Sequence, residues 1–101
     1  MILIYFPASS LDEAKKISKI IIKENLVACT NIFQSNSIYS LKGEIKEDSE
    51  FVVFAKTYGD KAVIAMKRIT ELHSYKIPCV LKWDVESNPA YANWVKSELK
   101  S

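Results

Sequence analysis

Apolar residues follow two rhythms along this chain. Ile2-Leu3-Ile4-Tyr5-Phe6 is an unbroken apolar run ended by Pro7. Such a run predicts a short central strand covered on both faces. Ser10 with Glu13 then forms a capping-box pattern, which opens a helix. Leu11, Ala14, Ile17, Ile21 and Ile22 supply its apolar stripe. Lys15, Lys16, Lys19 and Lys23 lie mainly on the other side and read as a solvated face rather than a nucleic-acid patch.

The organising stretch follows. Residues 27–41 and 45–58 read as two long strands around a tight turn at Lys42-Gly43-Glu44. The first arm is rich in β-branched and aromatic residues, and the second contains Phe51-Val52-Val53-Phe54-Ala55, apolar on both faces. Gly43 sits where a hairpin turn wants a permissive backbone. The polar residues 34–37 suggest a bulge in the first arm. Glu44, Glu47, Asp48 and Glu50 near the turn read as a solvated, edge-protecting strand, with a cation site as the other reading. An arm of a dozen residues spans about 40 Å. A compact domain of this size is only roughly 34 Å across. The hairpin predicts pairing outside its own subunit.

Gly59-Asp60 is expected to cap a second helix, with Ala62, Met66, Ile69 and His73 inward. Residues 79–85 read as a fourth strand. Asn88-Pro89 opens a last helix, with proline at its first position and Tyr91, Trp94 and Val95 on its sticky face. The order is β-α-β-β-α-β plus a terminal helix, an α+β ferredoxin-like pattern filling residues 1–101 as one domain. Such a sheet carries helices on one face. Two central runs that are apolar on both faces therefore imply that another subunit covers the second face.

Composition narrows the class. Of 101 residues, 49% are hydrophobic and 26% charged, as in an ordinary folded domain. Fourteen basic against 12 acidic side chains give a net charge of +2, too weak to argue for nucleic acid. No apolar run approaches the roughly 20 residues that cross a bilayer. The first residues read as a strand rather than a signal peptide. With two cysteines, this predicts reduced thiols and a cytoplasmic setting.

Chemistry-bearing residues are few. Cys29 and Cys79 are flanked by apolar strand residues, so each reads either as a small core residue or as a soft thiolate ligand. His73, the single histidine, reads either as a helix C-terminal cap or as a pocket residue. Convergence of these three would make a copper site. Tyr39, Lys56, Tyr75, Lys76 and Trp94 are candidates for a cleft between subunits, with interface packing as the alternative. No triad, hydrolase-type histidine spacing or glycine-rich phosphate loop is present, which argues against an enzyme.

Four segments carry a likeness to a known family. They are Leu26-Val27-Ala28-Cys29-Thr30-Asn31; Ser37 through Ile45 with Lys56-Thr57; Leu72-His73-Ser74-Tyr75-Lys76-Ile77-Pro78; and Asn88-Pro89-Ala90-Tyr91-Ala92-Asn93-Trp94. In order and spacing they resemble the CutA divalent-cation-tolerance family over nearly the whole chain. The resemblance implies a homotrimer with hairpins paired between subunits and a role in tolerance to copper and other divalent metals. Departures are visible. Ser74 and Lys76 stand where the family motif usually has proline and glutamate, and Leu41 where it often has tryptophan. Phe6 and Leu72-His73 stand where copper-associated members carry a cysteine and a His-His pair. The expected function is a trimeric cation-tolerance protein with weak metal binding at an intersubunit cleft. The alternative is a trimeric signalling or scaffold module like the PII type, binding a small anion or a partner protein through Lys56 and Lys76.

Overall fold

Strand β1 (Ile2–Ala8) lies between β3 (Glu44–Thr57) and β4 (Leu81–Asp84), and β2 (Cys29–Leu41) forms the far edge, giving the antiparallel order β2-β3-β1-β4. The structure is a computed structural model and describes residues 1–100. Helices α1 (Leu11–Lys23) and α2 (Lys61–Leu72) cover one face, and α3 (Pro89–Glu98) follows β4. This is the α+β arrangement the sequence predicts. Alternation along the central strands builds its core. Ile4, Phe6 and Ala8 of β1 and Val53 and Ala55 of β3 pack against Ala14, Ile17 and Ile21 of α1 and Ala62, Ala65 and Ile69 of α2.

The cap of α1 forms nearly as expected. Ser10 Oγ accepts the Glu13 amide at 3.1 Å. Glu13, however, reaches back to Ser9, accepting its amide at 2.9 Å and its hydroxyl at 2.8 Å. The other two expected caps differ: neither Asp60 nor Asn88 makes a side-chain cap bond, and at α2 the Gly59 carbonyl takes the Ala62 amide at 3.3 Å instead. Pro89 does occupy the first turn of α3, where its missing N–H costs nothing.

Lys42 and Gly43 form a two-residue turn, with φ of 51° and 81°, closed by the Leu41–Glu44 pair. Positive φ at both positions is the type I′ geometry that matches strand twist. Nothing stands within 4 Å of a Cβ built on Gly43, so only backbone strain opposes a side chain there. Gly43→Ala is therefore expected to cost about 1–2 kcal/mol. The check is a lower thermal midpoint with an unchanged particle mass.

The ladder from this turn runs without interruption from Leu41–Glu44 to Cys29–Lys56. The expected bulge at 34–37 is absent. Those residues are polar because the ribbon leaves the sheet there: β1 pairs with β3 only from Phe51 to Thr57. Residues 35–41 and 44–50 thus project as a two-stranded arm of about 24 Å. It draws the molecule out to 45 × 24 × 21 Å.

Strand β4 is shorter than the expected 79–85, and Pro7 explains why. The Met1 carbonyl accepts the Val85 amide, so alternate residues Leu3, Tyr5 and Pro7 turn their backbone groups toward β4. The ladder ends at Tyr5–Leu81. The next such pairing would set Pro7, which has no N–H, against Cys79. Cys79 is left in an exposed loop, contrary to its reading as a core strand residue.

Candidate functional site

The face opposite the helices holds most of the unspent chemistry. Its centre is a row of aromatic rings. Phe54 touches Tyr5 at 5.7 Å between centroids, Phe33 at 5.5 Å and Trp83 edge-on at 6.1 Å. Phe33, Leu81 and Trp83 remain 46%, 52% and 42% exposed. Among the described residues no element covers this row, and it is the face that the two-sided apolar strands anticipate.

Beside it, between the arm and the 73–80 loop, lies an open cleft of about 580 Å³, lined by Pro7, Tyr39, Asp48, Glu50, Tyr75 and Cys79 among others. Register places the arm's contribution: Ser37 faces Asp48 and Tyr39 faces Lys46, so the Tyr39 hydroxyl reaches Asp48 diagonally and donates to it. Tyr75 Oη donates to Glu50 Oε2 at 2.8 Å across the cleft. Each bond holds a phenol in its neutral form. The Asp48 bond pushes the Tyr39 pKa up. Burial, then Glu50, raises that of Tyr75. Among the described residues no lysine or arginine lines this cleft, while Asp48 and Glu50 do, so its charge is negative.

His73 closes α2 rather than opening onto the cleft. Its amide caps the helix on the Ile69 carbonyl at 3.0 Å. Its ring is fully buried, edge-on to Phe6 at 6.4 Å. Nε2 lies 2.7 Å from the Pro7 carbonyl, and Nδ1 lies 3.1 Å from the Tyr75 amide. A carbonyl only accepts and an amide only donates, so the ring is neutral with its proton on Nε2. It takes up the carbonyl that β4 leaves free.

Glu13 ties the same loop to α1, accepting the Ser74 amide at 2.8 Å as well as Ser9. Burial would raise its pKa, but the bonds from Ser9 and Ser74 outweigh it and bring it to about 2. A depressed carboxylate gives stability that is complete above its unfolded value, near 4.5, and is lost as pH falls through the folded value. Glu13→Gln is expected to flatten the fall of the thermal midpoint between those two pH values. An unchanged slope would show that Glu13 is not the group responsible.

The other expected site residues gather at the opposite end of the sheet. Cys29 Sγ is 2.9 Å from Tyr91 Oη. Tyr91 stacks on Trp94 with centroids 5.7 Å apart, and burial, with the thiol bond, lifts its pKa to about 12. Lys56, across the ladder from Cys29, donates to Asn31. Lys76 is exposed and does not line the cleft.

So the structure brings Tyr39, Tyr75 and Cys79 together, and Cys29 with Lys56 on one side and Tyr91–Trp94 on the other. It does not bring together Cys29, His73 and Cys79. Among the described residues, no three His, Cys, Asp or Glu side chains are grouped to hold a metal ion. Both nitrogens of His73 already have partners. The copper site expected from those three residues therefore does not form within one chain. Asp48 and Glu50 are the cleft residues that sequence reading left in a solvated strand. Counting register outward from Gly43 would have set Asp48 beside Tyr39.

With this geometry the chain can be compared with known proteins. The family described as CutA1 divalent ion tolerance protein matches residues 2–98. The chain belongs to the CutA1 family. The divalent-cation tolerance protein CutA of Pyrococcus horikoshii is 35% identical over 101 residues, 99% of each chain. That of Archaeoglobus fulgidus is 32% identical over 93 residues, 91% of each. The crystal structure of CutA1 from Pyrococcus horikoshii superposes with a TM-score of 0.94 at 33% identity, covering 100% of both chains. The structure from Archaeoglobus fulgidus, described as a periplasmic divalent cation tolerance protein, gives 0.93 at 30% identity, covering 99% of this chain and 100% of that one. As a CutA1-family member, the chain is a divalent-cation tolerance protein.

Proposed function

We propose that this CutA1-family protein acts as a non-catalytic homotrimer that holds copper or another divalent cation weakly at the clefts between its subunits. The observation that carries the assembly is the aromatic row. Phe33, Phe54 and Trp83 form a continuous apolar face with no covering element among the described residues of their own chain, and the adjoining arm is too long to be buried by its own globule. Copies placed on that face would enclose the cleft, with Asp48, Glu50 and Cys79 on its wall.

Weak binding follows from the donor set. Two carboxylates and one thiol mix hard and soft ligands, and both carboxylates already accept tyrosine hydroxyls. The same charge disfavours the anion-binding, signalling-module reading, since Lys56 is engaged with Asn31 and Lys76 stands off the cleft. The free thiols of Cys29 and Cys79 support a reducing, cytoplasmic setting. None of the helices is long and apolar enough to cross a membrane among the described residues.

Light scattering is expected to give a mass of three chains. Calorimetry with Cu(I), Cu(II) and Zn(II) is expected to show weak, saturable binding that Cys79→Ser reduces. Absence of any binding heat would end direct binding and leave an indirect route to tolerance. A stable monomer would end the intersubunit cleft.

A further inference from the structure

We propose that His73 is a proton-operated catch on the cleft. The neutral ring holds the 73–79 loop closed through the Tyr75 amide, and protonation at Nδ1 exchanges that amide for the Glu13 carboxylate and releases the loop.

The observations are geometric. In the neutral ring Nδ1 is the acceptor for the Tyr75 amide at 3.1 Å. A proton placed on Nδ1 turns this acceptor into a donor and leaves two N–H groups facing each other. Glu13 Oε2 offers an acceptor 4.0 Å from Nδ1. A small movement of the ring or carboxylate brings that pair into contact. The bond from Nε2–H to the Pro7 carbonyl is the same in both charge states. Protonation therefore spares the anchor to β1 and strikes the bond to the loop.

The surroundings make the imidazolium attainable despite burial. The ring meets Phe6 and the Pro7 carbonyl from β1, Glu13 from α1, and the Tyr75 ring, at 4.7 Å between centroids, from its own loop. Its own amide is held by Ile69 of α2. Glu13 brings the negative charge to this group, and the aromatic face of Tyr75 also favours a cation. On β3, Glu50 lies behind Tyr75, held by its hydroxyl. Glu13 stays ionised throughout the range in which a histidine titrates, because its own pKa is held at about 2.

The catch has a mechanical output. Tyr75 lines the cleft, together with Ile77 and Cys79 of the same loop. The Tyr75 amide bond to His73 and the hydroxyl bond to Glu50 are both polar anchors of this residue. Losing the first leaves the wall held by the second. Glu13 also holds Ser74, so recruiting Glu13 to the ring draws on the second tether of the same segment. Acidification thus loosens one wall of the cleft while the β1–β3 core stays intact.

The chain has one histidine, so its ring signals in an NMR titration of the full-length protein are unambiguous. From about pH 8 to about pH 4, three results are expected. The ring is the Nε2–H tautomer at high pH. The Tyr75 amide loses about fivefold to tenfold of its exchange protection as His73 titrates, the weight of one ordinary hydrogen bond. The Val53 amide keeps its protection across the same midpoint. In Glu13→Gln the His73 midpoint moves to lower pH, and loop release moves with it. A ring protonated on Nδ1 at high pH would overturn the proposal. So would a Tyr75 amide indifferent to the titration, or a ring that titrates only as the whole protein unfolds. An unmoved midpoint in Glu13→Gln would refute the exchange of partners.

Discussion

Phe54→Glu is expected to turn a three-chain particle into folded monomers. Phe54 is the hub of the open face, in ring contact with Tyr5, Phe33 and Trp83. In a single chain its side chain is only partly covered, so a carboxylate there reaches water and the fold survives. In the proposed trimer the same carboxylate would be shut among apolar rings without a partner. An unpaired buried charge costs about 3–5 kcal/mol, and every copy carries one. Light scattering should fall from the mass of three chains to that of one, while far-ultraviolet dichroism keeps its β and α content. A persistent trimer would show that this face is not the contact. Unfolding would instead place Phe54 in the core of the subunit, against the direction of its ring contacts.

Phe6→Ala acts on the other face and should be the most destabilising single truncation. Phe6 is fully buried, the largest of the fully covered side chains, and it packs edge-on to the His73 ring. Removing a buried phenyl group costs about 3–5 kcal/mol, because lost transfer energy is joined by a cavity. The total stability of a domain this size is about 5–15 kcal/mol, so a large share is lost. The denaturant midpoint should fall with little change in slope. Comparison must be made at one protein concentration, since association stabilises the folded chain by mass action. A loss below about 1 kcal/mol would mean that neighbouring groups collapse into the space. Because Phe6 also backs the His73 ring, the variant should in addition weaken protection at the Tyr75 amide.

Much of the fold was legible in the chain because its signals are local. The unbroken apolar run Ile2-Leu3-Ile4-Tyr5-Phe6 and the helical spacing of Ala14, Ile17 and Ile21 each depend on residues within a turn or two of one another. Gly43 marked the hairpin turn, which closes at Lys42-Gly43 with Glu44 already paired rather than within the expected three-residue turn. Gln34 to Ser37 misled for the same reason. Polarity says only that both faces meet water, and an arm projecting from a sheet gives that result as readily as a bulge does.

The candidate site was legible only in part. Tyr39, Tyr75 and Cys79 do share a cleft. The copper triad does not come together within one chain, because apolar neighbours in sequence do not reveal which end of a sheet a residue occupies. Cys29 pairs across from Lys56, beside Tyr91, while Cys79 lies past the end of the β1–β4 ladder. His73 was recognised as inward-facing. What it faces depends on Pro7, 66 positions away.

By itself, then, the sequence determined the order of elements, the overlong hairpin and the two-faced central strands, and from these came the expectation of a covering subunit. All are consequences of hydrophobic periodicity and turn stereochemistry, which act over a few residues. Only the tertiary structure decided where β4 stops, which groups occupy both nitrogens of His73, and which carboxylates border the cleft. Those outcomes turn on hydrogen-bond partners brought together from distant segments. A proline that cannot donate at one register position left a carbonyl for a histidine and a loop for the cleft.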